Sequence, residues 1–374
     1  MDIQELVKIV LFIIIGTIGL TLFGIIFGLL FKGVDRKISA HMQGRIGPPI
    51  IQPFRDMKKL FTKENIIPDN AVPWVFNLAP LIGLVGTISI LLFLPIGGFA
   101  PLAGGAIVIN GEPLIFGDMI LILYLLIIPS LALVIGGFAS GSPYATVGAQ
   151  REMATMIAYE FPLAIIIITI GWKLFNHLTL ISGESTLNIF SISTLTTIPV
   201  WNIAGPLAFI GFIILLIVLI IVTPAELSKI PFDAPEAETE IGGGLLVEYS
   251  GRNLGMFYLM DSVKTFVMAT LIVALFFPYN ISNVFGLEAT SIPAYTVNFV
   301  FFLVKVLIVI VFSVTLIRVA VARLKIDQIV YTYWVPITLL ALVGLILIMW
   351  EAWTFKKPPE GLGWQPLIQM LGLG

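Results

Sequence analysis

The 374-residue chain contains no cysteine. Thiolate-held iron–sulfur clusters, thiolate zinc sites, disulfides and a cysteine nucleophile are therefore excluded together from this polypeptide. Histidine is nearly as scarce. His41 and His177 are the only two, and they lie on opposite sides of several apolar runs, which argues against a two-histidine metal or haem site. The chain is therefore expected to own no redox cofactor. Charge is sparse as well: 11% of residues are charged and 58% are apolar, where globular domains average about 25% and about 45–50%. With 20 basic against 22 acidic residues there is no large cationic face for nucleic acid.

Long uncharged runs take the place of what is missing. The mean hydropathy of +1.06 is that of a membrane protein. A helix needs about 20 apolar residues to cross the hydrocarbon core. Eight stretches qualify: Ile9 to Phe31, Val72 to Leu94, Met119 to Gly141, Met153 to Trp172, Ile203 to Thr223, Leu254 to Phe277, Val297 to Ile317 and Val330 to Trp350. Pro95, Gly97, Gly98, Pro101, Gly104 and Gly105 read as the turn that ends the second span. The first stretch is too long for a usual signal-peptide core and follows Asp2 and Glu5, so it counts as a true span. The expectation is an all-α, polytopic membrane protein with about eight transmembrane helices, residues 1–374 forming one integral membrane domain.

Basic residues set the orientation. The loops after spans one, three, five and seven hold fourteen of the 20, namely eight in residues 32–64 and then Arg151, Lys229, Arg252, Arg318, Arg323 and Lys325. The opposite side holds Lys8, Lys173, Lys356 and Lys357, while Lys264 and Lys305 fall inside spans. Both termini are thus expected outside, with the basic loops cytoplasmic. Lys173 to Asn202 reads as a long external loop with a solvated Lys173, and Lys356 to Gly374 as a Pro- and Gly-rich tail on the outer surface.

Two of the cytoplasmic loops carry 19 of the 42 charged residues. The first, 32–64, sets eight Lys or Arg against Asp35, Asp56 and Glu64. Within it, Pro53 to Phe61 places Phe54, Met57, Lys58, Leu60 and Phe61 on one side and Arg55, Asp56 and Lys59 on another, the pattern of an amphipathic interfacial helix. A purely topogenic loop resting on anionic lipid is the plain alternative. The second loop, 226–252, holds six acids within 23 residues: Glu226, Asp233, Glu236, Glu238, Glu240 and Glu248. A helix starting at Pro235 would put Glu236 and Glu240 about 40° apart on one face, with Glu238 pointing away. Paired carboxylates of that kind suit a proton relay, although acids in a first helical turn also simply favour the positive end of the helix dipole.

Ionisable groups inside spans sharpen the case, because a charge at membrane depth is costly and marks function by default. Glu160 lies in span four without a basic neighbour one turn away, and Lys305 interrupts span seven. Asp261 and Lys264 sit three residues apart in span six, a spacing at which they could neutralise each other.

The stretch Ile230-Pro-Phe-Asp-Ala-Pro-Glu-Ala-Glu-Thr-Glu240 followed by Val247-Glu-Tyr-Ser-Gly251 resembles the cytoplasmic loop of the quinone-site membrane subunit of respiratory complex I and of its relatives in membrane-bound hydrogenases. Met42-Gln-Gly-Arg-Ile-Gly-Pro48 and Ala158-Tyr-Glu160 are similar too. The short Gly-Pro-Pro-Ile-Ile-Gln-Pro form at 47–53 is closer to the hydrogenase and sulfur-reducing branch than to complex I. The resemblance implies a proton pathway through Glu160, Glu226, Glu236, Glu240, Glu248 and Asp261, and contacts to a peripheral arm from Arg36, Arg45, Asp233 and Glu238. It also implies peripheral hydrogenase-like or complex I-like partners holding iron–sulfur clusters and, on the hydrogenase branch, a nickel–iron centre, together with antiporter-like membrane partners.

The reading is a non-redox membrane subunit of an oxidoreductase complex in a prokaryotic cytoplasmic membrane, coupling electron transfer in its partners to proton or sodium translocation. Two rivals remain: a stand-alone secondary transporter, which would purify alone, and a passive anchor, whose carboxylates could be neutralised without consequence.

Overall fold

A computed structural model describes residues 3–96, 107–109, 112–114, 119–182, 190–285 and 291–354. Eight helices are long and apolar enough to cross a membrane, over Ile15–Met42, Pro73–Leu91, Met119–Ala139, Pro143–His177, Pro206–Glu226, Gly251–Phe276, Ile292–Ala320 and Ile326–Thr354. All eight expected spans are present, and the protein is a multi-pass membrane protein. The glycine-rich turn after the second span and the tail from Lys356 fall largely or wholly outside the described residues.

The helices in chain order are α1 (Ile3–Met42), α2 (Gln52–Thr62), α3 (Pro73–Leu91), α4 (Met119–Ala139), α5 (Pro143–Ser182), α6 (Ile192–Thr197), α7 (Pro206–Glu226), α8 (Glu238–Ile241), α9 (Gly251–Phe276), α10 (Ile292–Ile310), α11 (Leu316–Ala320), α12 (Ile326–Thr332) and α13 (Thr338–Thr354). One departure from all-helical structure is a short antiparallel hairpin, β1 (Ile107–Ile109) with β2 (Glu112–Leu114). Wide π turns at Val311–Thr315 and Tyr333–Ile337 join α10 to α11 and α12 to α13. The second contains Pro336, whose missing N–H breaks the regular ladder.

Hydropathy located the spans but misplaced several ends. The first span was expected to stop at Phe31, yet α1 runs on through Lys32, Asp35 and Arg36 to Met42. Charge ends the apolar stretch, not the helix, which stops where Gly44 and Gly47 adopt left-handed φ of 72° each. Helix α5 likewise covers Pro143–Ser182, so the first part of the supposed external loop is helical, and α6 lies farther along it.

Helix α9 forms the axis of the bundle. From Ser262 to Phe276 every side chain is buried, and α1, α3 and α10 all pack on it. Between apolar surfaces already surrounded by lipid, close packing replaces the hydrophobic effect as the force joining helices. Small residues permit it. A Cβ on Gly28 of α1 would stand 2.8 Å from the Ser262 carbonyl oxygen of α9, and one on Gly211 of α7 would stand 2.9 Å from the Gly344 carbonyl oxygen of α13. An aromatic cluster of Phe23, Phe27, Phe31, Phe266 and Phe299 fills the α1–α9–α10 seam.

The amphipathic α2 is present, with Pro at its start. Its apolar side packs on protein: Met57 joins Leu29 of α1 and Leu259 of α9, with Phe54 against them. The helix thus closes the charge-rich end of the α1–α9 seam.

Candidate functional site

The ionisable side chains converge where α1, α5, α7, α9 and the 227–250 loop meet. Asp261, in the N-terminal half of α9, accepts from Lys32 of α1 at 2.7 Å and from Lys229 of the loop at 2.6 and 2.7 Å. Lys32 also stands 5.2 Å from the centre of the Tyr258 ring. The expected Asp261–Lys264 neutralisation is not what the fold makes. Lys264 turns to Glu226, the last residue of α7, at 2.9 Å, and both are buried. Three residues along a helix bring two side chains near one face, but a buried ion pair forms where the remaining hydrogen bonds can also be met. Lys264 meets one by donating to Ser130 of α4 at 2.9 Å, and Ser130 lies 3.0 Å from the Tyr159 hydroxyl of α5.

Glu226, Glu236, Lys229, Asp261, Lys264, Lys32 and Arg36 line one cavity of about 120 Å³. Glu236 faces it as a carboxyl pushed up to about 7, chiefly by burial, with Lys229 pulling down and Asp261 pushing up. Such a group changes protonation near neutral pH, as a relay needs.

The expected continuous helix from Pro235 does not form. A single 3-10 turn covers Ala234–Glu236, Ala237 is extended (φ −61°, ψ 101°), and α8 begins only at Glu238. Glu236 therefore points into the cavity while Glu240 pairs with Arg151 of α5 at 2.6 Å, so the two carboxylates do not share a face. Arg151 also donates to the Ala234 carbonyl at 3.2 Å, which ties the turn to α5. Asp233 is held by a two-pronged bond from Arg323, which also donates to Thr239. Glu238 is exposed, and Glu248 is half-buried with no hydrogen-bonded partner among the described residues.

Glu160 lies on α5, half-buried and with no hydrogen-bond partner among the described residues. Arg36 pairs with Asp56 of α2 at 3.1 Å. Arg45 stands exposed in the loop after α1, beside Ile46 at 88% exposure.

Several participants escaped the sequence reading. Glu152 of α5 is 1% exposed; one of its oxygens accepts from Ser228 at 3.2 Å and the other has no partner. Its signal was a lone acid at the edge of an apolar run, which hydropathy discounts. Asp35 is buried and accepts from Thr315 at 2.6 Å and Arg318 at 3.2 Å. Lys173, expected to be solvated, is 8% exposed and pairs with buried Glu351 at 2.6 Å. Glu351 also accepts from the Gly205 and Ala208 amides at 3.1 and 2.7 Å, satisfying orphan donors at the start of α7. Lys305 donates to the Phe277 and Tyr279 carbonyls beyond the end of α9, at 2.8 Å each. Among the described residues no group of three or more His, Asp or Glu is placed to hold a metal ion.

A family model described as NADH dehydrogenase matches residues 15–349. The chain is 32% identical over 333 residues to an NADH-quinone oxidoreductase subunit of Syntrophotalea carbinolica, covering 85% of this chain and 90% of that protein. It is 30% identical over 347 residues to an F(420)H(2) dehydrogenase subunit of Methanosarcina mazei, covering 88% of this chain and 91% of that one. Among solved structures, a chain of the membrane-bound sulfane sulfur reductase (MBS), an archaeal respiratory membrane complex, superposes with a TM-score of 0.71 at 28% identity. The match covers 89% of this chain and 99% of that one.

Proposed function

The chain belongs to the NADH dehydrogenase family, and from that footing we propose that it is the membrane subunit through which a peripheral electron-transfer arm drives proton or sodium translocation. The observation that carries this reading is the set of polar and ionisable side chains that leads from the loop, through one shared cavity, into the bundle. It passes from Glu236, Asp261 and Lys229 to the Glu226–Lys264 pair and on through Ser130 to Tyr159, the neighbour of Glu160. A passive anchor has no use for so many buried charges at membrane depth.

In this reading the loop is the input. A change of charge or shape in the peripheral arm moves residues 226–252, the Lys229–Asp261 contact responds, and Glu236 and Glu226 exchange protons with Glu160 and onward membrane partners. Glu240, bound to Arg151, and Asp233, bound to Arg323, hold the loop in position, while Glu248 completes the pathway at its edge. Arg36, Arg45 and Glu238, with loop 32–64, face the arm. Iron–sulfur clusters and, in hydrogenase-type complexes, a nickel–iron centre belong to partner subunits, since this chain offers no thiolate. Antiporter-like subunits continue the ion path. The fourteen basic residues on one side argue for that side being cytoplasmic, with both termini outside.

The test compares ion uptake by inverted vesicles with the amount of assembled complex for Glu160→Gln and Glu152→Gln. Glutamine keeps the size and much of the hydrogen bonding but carries no titratable proton. Normal assembly with at least a tenfold loss of coupled uptake is expected for Glu160→Gln, and a smaller loss for Glu152→Gln. The exposed Asp327→Asn, a carboxylate outside the pathway and the arm-facing loops, serves as the control. Unchanged uptake in both glutamate variants, or purification of the chain without soluble redox partners, contradicts the reading.

A further inference from the structure

Helix α7 ends in a turn whose pattern calls for glycine and holds serine. Beyond the cap residue Leu227, the Lys229 amide donates back to the Pro224 carbonyl at 2.8 Å and the Ser228 amide to the Ala225 carbonyl at 2.9 Å. That pair of bonds is the Schellman arrangement, in which the residue after the cap takes a left-handed backbone and is usually glycine or asparagine. Here it is Ser228, at φ 47°, the one non-glycine residue with positive φ among the described residues. Left-handed backbone disfavours a residue with a Cβ by about tenfold or more. A serine in that position needs a compensating contact.

The contact is with a buried carboxylate. The Ser228 hydroxyl donates to one oxygen of Glu152 at 3.2 Å, and the other Glu152 oxygen has no hydrogen-bond partner among the described residues. The ionisable groups that face Glu152 are Lys264 of α9, Glu236 of the loop, Glu226 of α7 and, along its own helix, Tyr159. The turn is also the joint between two ion pairs. Glu226, two residues before Ser228, binds Lys264, and Lys229, one residue after it, binds Asp261. Turning Ser228 to negative φ would break both backbone bonds and swing Lys229 off Asp261.

We propose that Glu152 is a positioning residue whose protonation state sets this turn: ionised, it holds Ser228 left-handed and Lys229 on Asp261; protonated, it releases both. A hydrogen bond to an ionised carboxylate is roughly twice as strong as one to a neutral acid. The difference is comparable with the backbone strain at Ser228, so one proton is enough to tip the turn. The proton adds at the unpartnered oxygen of Glu152. It comes from the charged cavity, which Ser228 lines, and returns there when the turn re-forms. What the movement is used for rests on the function proposed above, since it would link the charge of the cavity to the position of loop 226–252; the switch itself does not rest on it.

The experiment follows amide hydrogen exchange in the whole solubilised complex, by mass spectrometry of peptides spanning 225–232, between about pH 5 and about pH 9, with the intrinsic effect of pH on exchange divided out. The Ser228 and Lys229 amides report the turn directly, because its two bonds are theirs. In the unaltered protein their protection should fall by about tenfold as the pH is lowered, and Glu236→Gln should keep that dependence. Glu152→Gln, fixed neutral, should be poorly protected at every pH. Ser228→Ala should behave alike, since it keeps the strain and loses the bond. Ser228→Gly removes the strain and should be protected at every pH, also when combined with Glu152→Gln. A variant that had simply misfolded would not regain protection from a second change that deletes a hydroxymethyl group. An unchanged pH dependence in Glu152→Gln, or equal loss of protection in Ser228→Gly and Ser228→Ala, would overturn the proposal. Ion uptake is not read, so a failure of this switch and a failure of the proposed translocation are separate results.

Discussion

Lys173 and Glu351 illustrate how much one buried charge depends on its partner. Removing the lysine strands a carboxylate that is 2% exposed, and breaking a buried pair in that way costs about 3–5 kcal/mol. Lys173→Gln should therefore lower the thermal stability of the assembled complex markedly, and so should Glu351→Gln, which leaves the buried ammonium unpaired. An unchanged melting temperature for Lys173→Gln would show the pair to be dispensable. Glu236 makes the opposite kind of prediction. Its carboxyl is raised from the ordinary 4.5 to about 7, so the folded loop prefers it protonated. That contribution to stability is complete below about 4.5 and is lost as pH rises through about 7. Infrared difference spectra should show a protonated-carboxyl band that disappears with a midpoint near 7 and is missing in Glu236→Gln. A midpoint near 4.5 would put the group in bulk-like solvent.

At the scale of elements, the acidic loop is held by close backbone contacts as well as by charge. Gly244 has φ of +52°, a region that costs other residues about 1–3 kcal/mol, and a Cβ there would run into the Pro235 carbonyl, which cannot move aside as a side chain would. Gly148 of α5 offers the matching flat surface, where a Cβ would meet the Leu245 amide at 2.7 Å and the Pro235 carbonyl at 2.9 Å. Gly244→Ala should displace the turn carrying Glu236, speed proteolysis within 226–252 and reduce coupled uptake several-fold while leaving the eight spans inserted. Proteolysis at the wild-type rate would mean that the loop is positioned by its salt bridges alone. The same packing explains why the helix expected from Pro235 fails: Arg151 binds Ala234 and Glu240, Arg323 binds Asp233 and Thr239, and Ala237, extended between these anchored ends, takes up the bend.

For the whole molecule, an even number of spans returns the chain to the side where it began, and the basic residues choose which side that is. A reporter fused after Gly374 should be accessible from outside, and one inserted near Thr239 should lie in the cytoplasm; both on one side would break the eight-span topology. The eight spans, the amphipathic α2 and the identity of the charged loop are legible in the amino-acid order alone, because hydrophobic length and helical periodicity are local quantities that lipid reads directly. It also supplied most of the candidate carboxylates, since a charge in an apolar run stands out on its own. Their partners come from how the helices pack. Asp261 reaches Lys32 and Lys229 rather than Lys264 three residues away, Lys264 reaches Glu226, and Lys173 reaches Glu351 far along the chain. A buried charge is satisfied by whichever opposite charge the packed helices bring within hydrogen-bonding distance, and that distance is set by crossing glycines and helix ends, not by spacing along one helix.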